Sequence, residues 1–336
     1  GTVFNREINK MNKFVLAASA VTLSMSLASG TVSAAEKWDM PMAYSDSNFH
    51  TQNGKLFAAA VNKASGGKLT IVVHGGGSLF KGGEIKRAVQ TGQAPIGERL
   101  MSALANENPM FGIDAVPFVA TDFGAAKKLY AASKGAIEKI LDGQGLKFLY
   151  AVPWPPQGLY AKKDLNSVAD MKGMKFRAYN PATSRLAELT GAVPTQIEAA
   201  ELSQALATGV ADSFISSGAT GVDKKVWEQL THFYDVQAWL PKNMVIVNKK
   251  AWGTLDGGTQ KVVLAAAANA EAAGWAKSEE LAGGYLKTLA SHGMKVQPAS
   301  PSFKAELQKI GATMSAEWQK QAGAEGAAAI ASFKSM

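Results

Sequence analysis

The sequence predicts an α/β protein made of two lobes. Three observations support this prediction: β-branched runs alternate with helical periods, a proline pair interrupts the chain near its middle, and one helical stretch exceeds the length of a typical domain helix. A chain of 336 residues has the length of two domains of ordinary size. Because strands that alternate with helices are typical of βαβ units, we expect mainly parallel sheets.

Short β-type runs and longer helical patterns alternate after residue 36. Residues 69–73 are rich in β-branched side chains and are bounded by glycines, which predicts a strand. Three further strands are predicted at residues 147–152, 175–178 and 244–247. Apolar residues recur at helical spacing in six segments, namely residues 54–64, 84–91, 124–141, 182–189, 199–207 and 222–230.

The two lobes are predicted to join at Trp154-Pro155-Pro156 and along one long helix. The proline pair follows a predicted strand and stops regular structure, which suits a crossing between lobes. Residues 259–289 contain no proline and predict a helix of about 45 Å that spans both lobes, unless the glycine pair at 283–284 bends or ends it. The predicted organisation is an N-terminal leader at 1–35, a first part of lobe I at 36–155, lobe II at 156–242, a return to lobe I with the spanning helix at 243–282, and C-terminal helices that pack on lobe II at 283–336.

Residues 11–35 have the order of a secretory signal peptide. A lysine precedes an apolar run, and small residues follow it. A membrane anchor is the alternative, but the run is short for a hydrocarbon core of about 30 Å and contains serines and threonines. We expect cleavage near Ala34-Ala35, which releases the mature protein into the periplasm. Residues 1–10 are excluded from the fold as a mis-assigned start or a cloning remnant.

Composition and charge exclude several classes of protein. The hydrophobic share of 47% is too high for a disordered chain, and the absence of cysteine excludes disulfides, thiolate chemistry and Cys-based zinc sites. The net charge of +8 favours anionic partners. Because the lysine pairs are scattered along the chain and form no stripe, we expect no nucleic-acid partner.

Motifs for catalysis are missing from the sequence. Residues 74–77 have the His-Gly-Gly-Gly pattern of an esterase oxyanion loop, but no G-x-S-x-G nucleophile motif accompanies it. The glycine-rich segments lack the spacing of dinucleotide and phosphate loops. The four histidines form no pair at metal-binding spacing, although a site of carboxylates alone stays open. We therefore expect no enzyme activity, cofactor or metal.

Arg177 is the candidate centre of an anion site. It lies within a short apolar strand, and strand alternation turns its side chain away from Phe176 and Ala178. A half-buried arginine needs a partner because an unpaired buried charge is costly. That partner is either a structural carboxylate or the carboxylate of a ligand, whose two oxygens match the planar guanidinium.

The segment around Arg177 resembles a known family signature. Residues 176–183, preceded by the Val-Ala-Asp-Met-Lys-Gly motif at 168–173, resemble the core signature of the solute-binding subunits of TRAP transporters, the DctP-type family. The likeness covers nearly all of residues 36–335. Further matching segments follow in order at residues 65–71, 77–84, 115–119, 191–195 and 201–212.

The resemblance implies a periplasmic binding protein fold with a ligand cleft between two lobes, hinge strands and one long lobe-spanning helix. It also implies that the lobes close around an organic acid and that the closed form delivers this acid to the TRAP membrane permease subunits. We expect a monomer. An exported α/β hydrolase or lyase, and a ligand sensor for a membrane kinase, are the alternatives.

The resemblance also implies the site residues. Arg177 corresponds to the family arginine that grips the ligand carboxylate, and Asn180 to the asparagine soon after it. The remaining candidates lie at the two inter-lobe crossings, just past the matching segment at 210–212, and in the first-lobe loops. They are Trp154, Gln157, Phe214, Ser216, Ser217, Trp239, Asn243, Tyr44, Asn48 and Glu98.

Several candidates have a structural alternative. Trp154 and Trp239 could pack the hinge without touching a ligand, and Glu98 could form an internal ion pair with Arg99. The first-lobe loop residues could serve only as turn residues.

The candidate residues limit the ligand. One cation, several aromatic side chains and few other charges favour a small monocarboxylate with an apolar, aromatic or cyclic body. An aromatic glyoxylate or pyroglutamate would fit. Sugar acids fit less well because each hydroxyl that loses its water needs a polar partner.

Overall fold

A computed structural model of the chain describes residues 34–336, where three β-sheets are surrounded by helices. Residues 1–33, which include residues 1–10 and most of the predicted signal peptide, lie outside the described residues. Across the described part, no helix has both the length and the hydropathy needed to cross a membrane. The strands are β1 Glu36–Pro41, β2 Leu69–His74, β3 Ile96–Leu100, β4 Leu146–Pro153, β5 Gly158–Ala161, β6 Lys175–Ala178, β7 Val193–Gln196, β8 Ser213–Ser216, β9 His232–Tyr234, β10 Lys242–Asn248 and β11 Lys295–Gln297.

Five of the six predicted helical segments are confirmed. The sixth, residues 222–230, is wrong because Lys225 adopts left-handed backbone geometry with φ of 50°. The helix there ends at Asp223, and only a 3-10 turn at Val226–Glu228 follows. The helices are α1 Phe49–Ala64, α2 Ile85–Gln90, α3 Phe123–Gly143, α4 Pro181–Thr190, α5 Leu202–Ala207, α6 Gly218–Asp223, α7 Lys249–Thr254, α8 Gly257–Ser291 and α9 Pro301–Lys334.

The chain crosses between two groups of sheets, which we call lobe I and lobe II. Lobe I holds the two-stranded sheet β1-β2 and the three-stranded sheet β3-β10-β4, and lobe II holds the six-stranded sheet β11-β9-β5-β8-β6-β7. Regular structure stops after Pro153, as the proline pair predicts. The return crossing lies beside the first, since Trp154 N donates to Pro241 O (2.8 Å) and Gln157 N donates to Trp239 O (3.0 Å). The two crossings are therefore tied together by backbone hydrogen bonds.

The sheets are mixed, so the prediction of mainly parallel sheets is wrong. Among the strand pairings of residues 34–336, β10 is antiparallel to β3 and β4, and β5 is antiparallel to β8 and β9. Both β5 and β10 enter their sheets directly from a crossing. No α-helix lies between β4 and β5 or between β9 and β10, so neither strand enters its sheet through a βαβ unit. The remaining four pairings are parallel.

Helix α8 confirms the predicted lobe-spanning helix. Its 35 residues give a length of about 52 Å. It packs against α1 and β4 of lobe I and against α6 and β11 of lobe II. The helix continues through Gly283 and Gly284, so the domain boundary expected at residue 282 falls within it.

Helix α9 packs on both lobes. Trp318 Nε1 donates to Pro109 O of lobe I (2.8 Å), while Glu317 forms an ion pair with Arg185 of lobe II (2.7 Å). The helix is broken at Gly323, whose φ is 60°. The expected packing on lobe II alone therefore describes only part of this helix.

Two glycines of α8 predict opposite effects of the same substitution. A Cβ on Gly274 would lie 2.8 Å from Val152 Cγ1 and 2.9 Å from Asn53 Nδ2, whereas a Cβ on exposed Gly283 would meet nothing within 4 Å. Gly274→Ala should lower the free energy of unfolding by about 1–3 kcal/mol through overpacking. Gly283→Ala should raise it by up to about 1 kcal/mol through helix propensity. Urea denaturation of the two variants measures both effects, and equal shifts of the same sign would contradict the packing of α8 on β4.

Candidate functional site

A pocket lies between lobe I and lobe II. Its cavity volume is about 30 Å³. Lobe I, both crossings and lobe II all contribute to its wall. The lining residues are Tyr44, Leu100, Trp154, Gln157, Arg177, Tyr179, Glu198, Ala199, Ser216, Thr220 and Pro241.

Arg177 is a buried cation on this wall, and only 3% of the residue is exposed. Its Nε donates to Ile197 O (2.8 Å), and its Cζ lies 5.3 Å from the ring centre of Tyr179 and 5.9 Å from that of Phe214. Within residues 34–336, no carboxylate lies at ion-pair distance from it. Burial lowers its pKa, because the charged form has lost water. The site therefore presents a desolvated guanidinium whose terminal nitrogens have no protein anion.

A chain of hydrogen bonds fixes the wall beside Arg177. Trp239 Nε1 donates to the hydroxyl of Tyr179 (3.0 Å), and that hydroxyl donates to Gln157 Oε1 (2.6 Å). The Gln157 amide nitrogen donates to Pro155 O (3.3 Å). Burial raises the pKa of Tyr179, so its hydroxyl keeps its proton. Trp239 itself lies behind the wall.

Tyr44 and Trp154 form an aromatic wall on the lobe I side. Their ring centres are 4.7 Å apart at 69°, an edge-to-face arrangement. Burial raises the pKa of Tyr44 above its usual range. The structure gives the Tyr44 hydroxyl no hydrogen-bond partner in residues 34–336. A protonated, unpartnered hydroxyl in a pocket can donate to a ligand.

Glu98 lies behind the aromatic wall. Trp154 Nε1 donates to Asn243 Oδ1 (2.8 Å), and Asn243 Nδ2 donates to Glu98 Oε1 (3.1 Å). The other carboxyl oxygen of Glu98 is 4.0 Å from Nδ1 of the buried His50. Burial raises the pKa of Glu98 to about 8. Asn243 and Glu98 therefore hold Trp154 in place from the second layer.

The expected ion pair between Glu98 and Arg99 is absent. Consecutive residues of a strand point to opposite faces, and both lie in β3. Arg99 instead pairs with Glu198, which follows β7 in lobe II: NH1 donates to Oε2 (3.1 Å) and NH2 to Oε1 (3.0 Å). This bidentate pair crosses the cleft.

Asn180 and Asn48 cap helices and link the lobes. Asn180 Oδ1 accepts from Thr183 N at the start of α4, and its Nδ2 donates to Ser102 Oγ of lobe I (2.9 Å). Asn48 caps α1, and its Nδ2 donates to Asp223 Oδ2 of lobe II (2.6 Å). Neither asparagine lines the pocket.

The residues of β8 divide between the wall and the core. Phe214 lies beside Arg177 in register and stacks on Tyr160 with ring centres 4.3 Å apart, so it supports the wall from the core. Ser216 lines the pocket, and its hydroxyl is 2.7 Å from that of Thr220. Ser217 lies at the start of α6, and its buried hydroxyl has no hydrogen-bond partner among residues 34–336.

The structure separates the predicted site residues into two layers. Tyr44, Trp154, Gln157, Arg177 and Ser216 line the pocket, whereas Asn48, Glu98, Asn180, Phe214, Ser217, Trp239 and Asn243 lie behind or beside it. Sequence analysis missed the other lining residues. Tyr179 could have been found from its position two residues after Arg177, but no local signal indicates Glu198. The missed residues are Leu100, Tyr179, Glu198, Ala199, Thr220 and Pro241.

Over residues 34–336, no group of three or more His, Asp or Glu side chains could hold a metal ion. The pocket chemistry is that of an anion site with an aromatic wall and several hydroxyl groups.

The chain is similar to known solute-binding proteins. The family model of bacterial extracellular solute-binding protein, family 7 (DctP), matches residues 41–322. A TRAP solute-binding protein from a marine metagenome, specific for pyroglutamate and crystallised with co-purified pyroglutamate, is 54% identical; the match covers 90% of this chain and 100% of that chain, with a TM-score of 0.89.

Two further relatives also bind small acids. An extracytoplasmic solute receptor of Bordetella pertussis that binds pyroglutamic acid is 48% identical, with 90% of this chain and 100% of that chain covered and a TM-score of 0.88. A monocarboxylate 2-oxoacid-binding periplasmic protein of Nostoc is 25% identical over 82% of this chain and 77% of its own length.

The raised pKa of Glu98 predicts a pH-dependent stability. Between its ordinary value of 4.5 and about 8, native Glu98 keeps a proton that the unfolded chain has released. The free energy of unfolding therefore falls as pH rises through this window and levels off above it, at a slope of at most about 1.4 kcal/mol per pH unit. Glu98→Gln, which cannot titrate, should gain stability relative to the parent protein from pH 5 to 8.

Chemical denaturation at several pH values measures this difference, with the exposed Glu325→Gln as the control. A constant difference between Glu98→Gln and the parent protein from pH 5 to 8 would show that Glu98 is ionised throughout.

Because two adjacent glycines lie at different distances from the Arg99–Glu198 pair, their replacement by alanine should affect ligand binding to different degrees. A Cβ on Gly82 would lie 2.8 Å from Glu198 Oε2 and 3.3 Å from Arg99 NH1, whereas a Cβ on Gly83 would meet only Glu198 Oε1 at 3.4 Å. Gly82→Ala should displace the pair and weaken ligand binding by about 1 kcal/mol, or roughly fivefold. Gly83→Ala should bind nearly as the parent protein does. Calorimetric titration measures the ligand affinity of both variants. Equal affinities of Gly82→Ala and Gly83→Ala would refute a role for the Arg99–Glu198 pair in ligand binding.

Proposed function

Because the chain belongs to the DctP family of bacterial extracellular solute-binding proteins, whose members are periplasmic receptors and not enzymes, we propose that it is the pyroglutamate receptor of a TRAP transporter. Membership of this family is consistent with the signature around Arg177 and with the two-lobed α/β fold. It is not consistent with the alternative of an exported hydrolase or lyase. The chain is a receptor for a small organic acid, and its proposed ligand is the acid that two relatives near 50% identity bind.

The observation that carries this proposal is the buried Arg177 without a carboxylate partner in the described residues. A ligand carboxylate would supply the missing anion, and its two oxygens match the two terminal nitrogens of the guanidinium. Charge-assisted hydrogen bonds of this kind are about twice as strong as neutral ones. Arg177 is thus the proposed carboxylate clamp.

The rest of the wall suits a small ring. Tyr44 and Trp154 offer apolar ring surfaces on one side of the pocket. The hydroxyls of Tyr44, Ser216 and Thr220 can bind the polar atoms of a lactam. Sugar acids are disfavoured because each of their many hydroxyls would need a polar partner.

Ligand binding is proposed to close the lobes. Arg177 belongs to lobe II and Tyr44 to lobe I, so a ligand that contacts both favours the closed form. Three polar contacts between the lobes accompany this form: Arg99 to Glu198, and the links made by Asn48 and Asn180. The closed monomer is proposed to deliver its ligand to the TRAP membrane permease.

Export through a cleaved signal peptide completes the proposal. Cleavage before or after Ala35 would leave Glu36, the first residue of β1, at the mature N-terminus or one residue after it. The first strand would then be intact in the periplasmic protein.

Replacing Arg177 should weaken ligand binding without lowering the stability of the ligand-free protein. Arg177→Met keeps the apolar stem but removes the charge, so affinity for pyroglutamate should fall at least about 100-fold, or roughly 3 kcal/mol. The ligand-free variant should be at least as stable as the parent protein, because a desolvated cation has been removed. Calorimetric titration and thermal unfolding measure the two effects.

The matched control is Arg87→Met, which removes an exposed arginine of α2. It should bind pyroglutamate as the parent protein does. Near-normal binding by a folded Arg177→Met variant would contradict the clamp, and failure of the parent protein to bind pyroglutamate would contradict the ligand.

A further inference from the structure

We propose that Glu198 makes the receptor selective for acids that carry an N–H donor, by accepting a hydrogen bond from that donor. This inference rests on the proposed function, since it concerns the same pocket. It goes further in naming the chemical feature, beyond the carboxylate, that the protein recognises. Glu198 lies on the pocket wall together with Arg177.

The carboxylate of Glu198 is held in a fixed position. Both of its oxygens accept from the Arg99 guanidinium, at 3.1 and 3.0 Å. Gly82 leaves room for the pair, because a Cβ there would lie 2.8 Å from Glu198 Oε2. Arg99 and Gly82 of lobe I therefore fix the carboxylate of Glu198, which belongs to lobe II, at the cleft.

Glu198 keeps hydrogen-bonding capacity after this pairing. An ionised carboxylate has about four lone-pair sites and accepts only, so two sites remain after the two bonds from Arg99. Its side chain is 28% exposed, in contrast to 8% for Arg99, and Glu198 is one of the residues that line the pocket. A ligand atom placed against it must be a donor.

The other polar groups of the wall do not impose this requirement. The hydroxyls of Tyr44, Ser216 and Thr220 can donate or accept. Gln157 carries an amide donor beside its oxygen, and that oxygen already accepts from Tyr179. Glu198 is thus the acceptor-only group among these, and a site built for a donor rejects an analogue that lacks it.

The charge balance of the pocket also disfavours a ligand that carries a second carboxylate. Arg177 contributes one positive charge, and the Arg99–Glu198 pair contributes none. Asp223 and Lys224, close enough to affect each other's pKa, add one charge of each sign nearby. One ligand carboxylate neutralises the site, whereas a second would face Glu198 and be repelled.

The test compares pyroglutamate with 5-oxotetrahydrofuran-2-carboxylate, its lactone analogue, in which a ring oxygen replaces the N–H. Calorimetric titration of the parent protein should give at least about tenfold weaker binding for the lactone. In Glu198→Met the ratio of the two affinities should fall to near one. Loss of the Arg99 contact weakens closure for both ligands alike, so the ratio isolates recognition of the N–H.

Glu201→Met is the matched control, because this exposed carboxylate lies three residues further along the chain. It should keep the parent ratio. Equal binding of lactam and lactone by the parent protein would overturn the inference while leaving the receptor function intact. A ratio that survives in Glu198→Met, or that Glu201→Met abolishes equally, would also overturn it. Failure of the parent protein to bind either acid would instead refute the proposed function.

Discussion

The site depends on one buried guanidinium, that of Arg177, for which residues 34–336 supply no carboxylate at ion-pair distance. Removing a charge from water costs several kcal/mol, and a protein normally offsets this with a paired carboxylate. Arg177 has a single backbone acceptor and two aromatic faces instead. Under the proposed function a ligand anion offsets this cost, which would make the ligand part of the electrostatic balance of the closed form. The proposed arrangement lowers the stability of the empty receptor and raises its affinity for the ligand.

The lobes meet around this charge through polar contacts. Arg99 binds Glu198 across the cleft, and Asn48 and Asn180 each use the side-chain oxygen to cap a helix and the side-chain nitrogen to reach the opposite lobe. Such contacts are directional and can exchange with water when the lobes separate, unlike a continuous apolar core. The apolar connection is left to α8 and α9, which pack on both lobes, and to the paired crossings. Under the proposed function, the ligand can thus control closure without unfolding either lobe.

Local sequence signals predicted the parts of this architecture that depend on local physics. The period of a strand placed Arg177 on one face of β6, and the proline pair marked the crossing at Pro155. Interactions between distant segments were not predictable in this way. Glu198 meets Arg99 across 99 positions of sequence, so no motif indicates it. Likewise β5 and β10 enter their sheets from the crossings between lobes, so local alternation of strands and helices does not show that their pairings are antiparallel.

The most direct test of this account is a crystal structure of the mature protein with pyroglutamate bound. In that structure both carboxylate oxygens of pyroglutamate should lie about 2.7–2.9 Å from the terminal nitrogens of Arg177, with the lactam ring between Tyr44 and the wall of lobe II. A structure in which the carboxylate binds elsewhere, and Arg177 contacts only water or the ring, would contradict it.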